Sequence, residues 1–203
     1  PINPALSATM LEGQLLHARP TLIIVDDDIE LPENVRNTTC IRWSAVFSDV
    51  LAYDDVAAAA ALANVNSIAD DHAGLLIYTS GTTGDPKGVR LGWHEISSNV
   101  TYAISALGYE PAWIAGSMLP RFHTFTLISD LFPALFLGGR IILVDTFELP
   151  HAKSIVDAFQ RHNVQSYSAA PIILEACCGL RAWNNVPSLR FAVAGAAPLK
   201  EKT

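Results

Sequence analysis

The chain carries little charge, and less of it is positive than negative. Lysine and arginine number 13 against 20 aspartates and glutamates, a formal net charge of -7 over 203 residues. No run of Lys or Arg occurs anywhere. A nucleic-acid binder shows a basic stripe as its electrostatic footprint, so that class is excluded. An acidic chain also offers an anion no general attraction, so any phosphate ligand must be held by local donors. Cysteine is scarce: Cys40 and the adjacent pair Cys177 and Cys178. The number is odd, the spacing fits no zinc pattern, and neighbours in sequence are poorly placed to bridge each other. Three small buried hydrophobes in a reducing, cytoplasmic compartment are expected. Long apolar runs are missing as well. The most apolar region, 125–144, is broken by Asp130, Pro133, Gly138, Gly139 and Arg140. A membrane span needs about 20 apolar residues in a row, so no integral membrane segment is expected, and no secretory signal is visible.

What remains is a chain that is 50% hydrophobic and only 16% charged. Disorder needs the reverse balance, so this composition implies a packed globular protein of one or two domains. Periodicity supplies its elements. Ser7 can cap a helix running to Ala18, with Met10, Leu11, Leu15 and Leu16 as its apolar stripe and Pro20 as its stop. Thr21 to Val25 reads as a strand buried on both faces. The alanine-rich stretch Asp54 to Ala63 reads as a helix. Leu75 to Thr79 and Ile114 to Leu119 read as extended. Glu95 to Leu107 is helical, and Phe125 to Leu137 is a buried helix interrupted by Pro133. Beyond the turn at Gly138 and Gly139, the spacing predicts a strand at Arg140 to Val144 and a helix at Ala152 to His162. A strand at Gln165 to Ala169, a helix at Pro171 to Cys178 and a strand at Arg190 to Ala194 complete the series. Strands and helices alternating over short connections imply an α/β fold, with a parallel-rich sheet covered by helices on both faces.

One stretch stands apart: YTSGTTGDPKGV, Tyr78 to Val89. Glycine-rich turns let backbone N–H groups converge on a phosphate, hydroxyls add donors, and a lysine adds a point charge. Thr79, Ser80, Thr82, Thr83 and Lys87 supply those functions around Gly81, Gly84 and Gly88. This is not a Walker loop, which ends in Gly-Lys-Ser/Thr and opens a helix. Lys87 is followed by a stretch that reads as extended, so the loop joins two strands and has no helix dipole behind it. The alternative for such a turn is a plain flexible hairpin. The acidic IIVDDD stretch, Ile23 to Asp28, could suit a hard cation. The fold built on such a start needs two further strand-end residues that are missing here, so Asp26 to Asp28 read as a solvated strand end. The six histidines show no metal spacing, and most are expected on surfaces.

The whole string from Tyr78 to Val89 resembles the phosphate loop of the adenylate-forming superfamily, which includes acyl-CoA synthetases and nonribosomal peptide adenylation domains. Other stretches agree in order: Pro1-Ile2-Asn3-Pro4, then Pro120-Arg121-Phe122-His123, then Gly195-Ala196-Ala197-Pro198. The resemblance implies ATP and Mg2+ as ligands. Thr79, Ser80, Gly81, Thr82, Thr83, Gly84 and Lys87 would lie against the phosphates, and Thr83 is the metal candidate. It gives His123 a place in the passage between acyl group and nucleotide. It sets the backbone of Gly195, Ala196, Ala197 and Pro198 against the adenine and the acyl group. Lys87 and His123 are the catalytic candidates. The activity implied is formation of an acyl-adenylate, then transfer to coenzyme A or to the phosphopantetheine of an acyl carrier protein.

The superfamily's later motifs and its mobile C-terminal domain with a catalytic lysine are absent. Residues 1–203 are therefore expected to be an incomplete N-terminal domain, inactive alone. Relatives that activate amino acids carry Phe-Asp-x-Ser where this chain has Phe122-His123-Thr124-Phe125, which argues against an α-amino acid. Phe125, Leu127 and Ile128 favour an apolar acyl or aryl acid, with a fatty acid first. The competing readings are a non-catalytic nucleotide-binding remnant or interaction module, and an amino-acid or aryl-acid adenylation domain.

Overall fold

The computed structural model of the chain describes residues 1–35, 38–50, 72–79, 87–179 and 181–198, without the side chains of 47–50 and 181–182. They fall into two compact units, Pro1–Trp93 and His94–Thr203.

The first unit opens with helix α1, Ala8–Ala18, whose N-cap Ser7 accepts from the Met10 N–H as expected. Strand β1, Leu22–Val25, pairs in parallel with β2, Thr39–Arg42. Periodicity had not singled out β2, or helix α2 that follows it at Trp43–Val50. The expected burial of β1 on both faces does not hold among the described residues. Ile23 packs inward with Leu15 and Val35, while Leu22 and Ile24 are 44% and 52% exposed. The acidic turn after β1 is structural. The Arg42 guanidinium donates to the carbonyls of Asp26, Asp27 and Ile29 at 3.0, 3.3 and 2.8 Å. The Asp27 carboxylate accepts from the Ser44 N–H and hydroxyl at 3.3 and 2.8 Å, giving the first turn of α2 a remote cap. The helix expected at 54–63 lies outside the described residues.

Strand β3, Ala73–Thr79, and β4, Lys87–Gly92, form an antiparallel pair, as the two-strand reading of the glycine-rich loop requires. Its register ends with Thr79 opposite Lys87.

The second unit begins at His94, within helix α3, Trp93–Leu107. Its sheet holds β5 (Ile114–Ser117), β6 (Arg140–Leu143), β7 (Ser166–Ala169) and β8 (Phe191–Ala194), in the order β6-β5-β7-β8. Every pairing is parallel. The expected buried helix after β5 is a composite, α4. Thr124–Thr126 and Phe132–Phe136 are α-helical, and Leu127–Leu131 between them is a π turn. Pro133 sits in the first turn of the last piece, where its missing N–H costs nothing. Helix α5, Ala152–Arg161, follows β6, and α6, Pro171–Gly179, follows β7.

Helices cover both faces. Gly116 of β5 lies against the Phe159 ring of α5; a Cβ there would stand 2.3 Å from it. Phe159 is fully buried with Met118, Ile155, Val164 and Tyr167, and burial of such a ring contributes roughly 3 kcal/mol. Side chains alternate along a strand, so Ala115, Ser117, Ser166 and Ser168 face the other way. There the π turn packs over both β5 and β7. Trp113 and Phe191 stack nearby with ring centroids 5.6 Å apart, and Trp113 Nε1 donates to Ser166 Oγ at 2.8 Å.

Candidate functional site

In the first unit, Thr79 closes β3 and Lys87 opens β4. The Thr79 hydroxyl lies 3.5 Å from the Lys87 carbonyl oxygen, which accepts from it. Both residues are exposed. Ser80, Gly81, Thr82, Thr83 and Gly84 lie outside the described residues, and the metal candidate Thr83 goes with them. Among the described residues no group of three or more His, Cys, Asp or Glu side chains is placed to hold a metal ion.

The root of the loop is pinned from behind. Tyr78 Oη donates to the Gln14 carbonyl at 3.1 Å, and His17 Nδ1 stands 2.7 Å from the same oxygen. A carbonyl only accepts, so the tyrosine proton goes to Gln14. His17 must then donate from Nδ1, which fixes its tautomer. Burial pushes the Tyr78 hydroxyl up from its ordinary value and keeps it protonated. Sequence reasoning missed His17, because nothing in the spacing joins positions 61 residues apart.

In the second unit, the carboxyl ends of four parallel strands open on one side. Strand order reverses between β5 and β7: β6 lies to one side of β5, while β7 and β8 lie to the other. Ligands of open α/β sheets bind outside the carboxyl ends at such a switch point. His123 lies on the turn that leaves β5, exposed, with its ring 4.5 Å from Phe122. The Pro120 carbonyl accepts from the His123 N–H at 3.2 Å and from Thr126 Oγ1 at 3.0 Å, so the turn is tied to the start of α4.

Gly195 leaves β8 two strands away, yet its Cα faces the Phe125 ring so closely that a Cβ would stand 2.5 Å from it. The fold therefore brings together the turn after β5 and the segment after β8. The next residue, Ala196, has φ +67, a left-handed backbone that costs a residue with a Cβ about 1–2 kcal/mol. Strain of this kind persists only where its surroundings hold it, and it gathers at ligand sites. Ala197 and Pro198 continue the segment as exposed backbone.

A carboxyl is buried in this unit, that of Asp130 in the π turn. It is 1% exposed, and Ser168 Oγ of β7 donates to its Oδ1 at 2.5 Å. Burial pushes the carboxyl up to about 7, and the Ser168 bond, which favours the charge, offsets only part of that. Its Oδ2 has no partner, and neither has Ser117 Oγ. From the sequence Asp130 was only an interruption of an apolar run. The signal that could have found it is an acidic residue inside a helix otherwise apolar all round.

The cysteines correct one expectation. Cys177 is buried, and burial raises its thiol to about 11, while Cys40 and Cys178 are exposed. All six histidines are exposed. No described helix is long and apolar enough to cross a membrane.

A family model described as "AMP-binding enzyme" matches residues 1–203. A 4-coumarate–CoA ligase of Arabidopsis thaliana is 30% identical over 186 residues, 88% of this chain and 30% of the relative. The beta-alanyl-bioamine nonribosomal peptide synthetase ebony of Drosophila melanogaster is 28% identical over 184 residues, 87% of this chain and 20% of the relative. Among solved structures, O-succinylbenzoate coenzyme A synthetase of Bacillus subtilis in complex with AMP superposes with a TM-score of 0.75 at 22% identity, over 97% of this chain and 48% of that one. The chain thus spans less than half the length of each of these relatives.

Proposed function

The chain belongs to the AMP-binding enzyme family, and from that premise we propose that the whole protein activates a carboxylic acid with ATP. A carboxylate oxygen attacks the α-phosphorus, the bond to the bridging oxygen breaks, and pyrophosphate leaves. The carbonyl of the resulting acyl-adenylate is then attacked by a thiolate of coenzyme A or of a carrier-protein phosphopantetheine, and AMP leaves. Residues 1–203 are read as part of an N-terminal domain that forms no adenylate alone, in a cytoplasmic enzyme with a mobile C-terminal domain.

The observation that carries this reading is the β3–β4 hairpin, which sets Lys87 across from Thr79 at the two roots of the glycine and hydroxyl loop. Charge grows on the leaving phosphate oxygens. Donors of residues 79–84 and the Lys87 ammonium stabilise it there, and magnesium enters as the counter-ion of ATP. Within the second unit, His123 and the Gly195 to Pro198 backbone are the groups proposed to meet the acid. An apolar acyl acid fits Phe125, Leu127 and Ile128. An aryl acid is the second reading, favoured by the coumarate of the Arabidopsis relative's name.

Acid-dependent exchange of pyrophosphate into ATP, measured on the full-length protein, tests this. Lys87→Ala should slow exchange by about 10²-fold or more, the cost of removing one preorganised donor from a developing anion. Normal exchange in that variant removes the role given to Lys87, and exchange that no acid stimulates removes the function.

A further inference from the structure

Three polar atoms meet the seam where the π turn crosses β5 and β7. Ser117 closes β5 and is 2% exposed; Ser168 is next to last in β7 and is fully buried. The register pairs Ala115 with Ser166 and Gly116 with Tyr167, so Ser117 and Ser168 are the next pair along, on the face opposite Phe159. Asp130 comes down from the π turn onto Ser168. π turns recur at functional sites because the extra residue pushes a side chain out of the regular helical row. This seam lies under the switch point, beside the crevice where the sheet topology places a ligand.

The bonding of these atoms is incomplete in one direction. An ionised carboxyl offers about four acceptor positions. Asp130 is met by Ser168 alone, through the hydroxyl at Oδ1 and the backbone N–H, while its Oδ2 and Ser117 Oγ have no partner. A buried polar atom without a partner is costly, and a site needing only to fill space between helix and sheet would hold an apolar or amide side chain. A hydroxyl or an ammonium could donate to the carboxylate, and a plain alkyl tail could not. Apolar side chains surround the seam: Leu127 is buried, and Phe125 lies against Gly195.

We propose that Asp130 selects the acid, by accepting at Oδ2 a hydrogen bond from a donor on the acid's tail. The substrate class is then an acid with an apolar body and a hydroxyl or amino group remote from its carboxylate. This deepens the acid-activating reading above and rests on it.

The test uses the full-length protein and matched pairs of acids. A medium-chain alkanoic acid is compared with its ω-hydroxy and ω-amino counterparts, and cinnamic acid with its para-hydroxy counterpart. Pyrophosphate exchange should favour a donor-bearing member by about tenfold or more, since a bond to a charged group is worth that much. The hydroxy and amino arms identify which donor is used. Asp130→Leu should erase or invert the preference. Asp130→Asn keeps the shape and the acceptor for Ser168 but offers an N–H in place of Oδ2. It should lose the preference mainly through KM. Plain acids preferred by the wild type, or an unchanged ratio in both variants, overturns the proposal. If no acid drives exchange, calorimetric binding of the same acids decides separately. Tighter binding of a donor-bearing acid that depends on Asp130 supports the selection and removes the acid-activating reading. Binding that does not discriminate removes the selection too.

Discussion

Replacing Asp130 by asparagine gives a stability prediction whose size follows from the fold alone. Burial lifts the carboxyl from its ordinary 3.8 to about 7. Each pH unit of such a difference is worth 1.36 kcal/mol, so keeping this group ionised costs the folded state about 4 kcal/mol. The sign follows from proton uptake. Between about pH 4 and pH 7 the unfolded chain has released this proton and the folded chain still holds it. Stability from this group is therefore full below about pH 4, falls as pH rises to about 7, and stays low above that. Asparagine cannot ionise and keeps an acceptor for Ser168. Near pH 5 it should cost about 1 kcal/mol, for one buried N–H without a partner. Only the two units between pH 5 and pH 7 remain to be lost, about 2.7 kcal/mol, so near pH 8.5 the order should reverse, with the variant the more stable by about 1.5–2 kcal/mol. Urea denaturation of both proteins at the two pH values measures it. Parallel pH profiles, with asparagine the less stable throughout, would mean that the carboxyl does not bear a raised pKa and that the desolvation argument is wrong.

Other outcomes follow from close approaches and exposure. A Cβ on Gly139 would stand 2.0 Å from the Trp113 carbonyl oxygen, whereas one on Gly138, at φ +62, would meet nothing. Gly139→Ala should therefore cost about 3 kcal/mol or more in thermal melts, because backbone must shift. Gly138→Ala should cost about 1–2, for its left-handed backbone alone. Ala196→Gly should gain about 1 kcal/mol by releasing strain, and a loss of stability would refute the strained assignment. Iodoacetamide on the native protein at mild alkaline pH should label Cys40 and Cys178 and spare Cys177. Labelling of Cys177 at a similar rate would show that it is not buried.

The elements that could be read from sequence are those whose own residues settle their form. Ser7 names the start of α1, the Gly138–Gly139 turn names the start of β6, and the apolar stripe of Ala152 to Arg161 names α5. The loop string carried its own chemistry and even its two flanking strands. What stayed hidden depends on partners distant in sequence. β2 is four residues long and takes its form from pairing with β1. The two-sided burial expected of β1 failed because an apolar run records what a strand could bury, not what covers it. Asp130 is paired with Ser168, 38 positions away, and the π turn that presents it has no signature distinct from an α-helix of the same residues. His123 and Gly195 were found through motif resemblance, but the contact of Gly195 with Phe125 could only be seen once the sheet was folded.

The cross-strand pairing of Thr79 with Lys87 turns the lysine's usefulness into a question of parity. A strand points odd and even residues to opposite sides, so a cation moved one step along β4 emerges on the wrong side of the ribbon, however long its stem. Residues added or removed between the two roots leave that parity alone, since the ladder below the loop is unchanged. The place of the lysine in the ladder is therefore fixed, and a related chain with that cation shifted by one position must have shifted its ladder too.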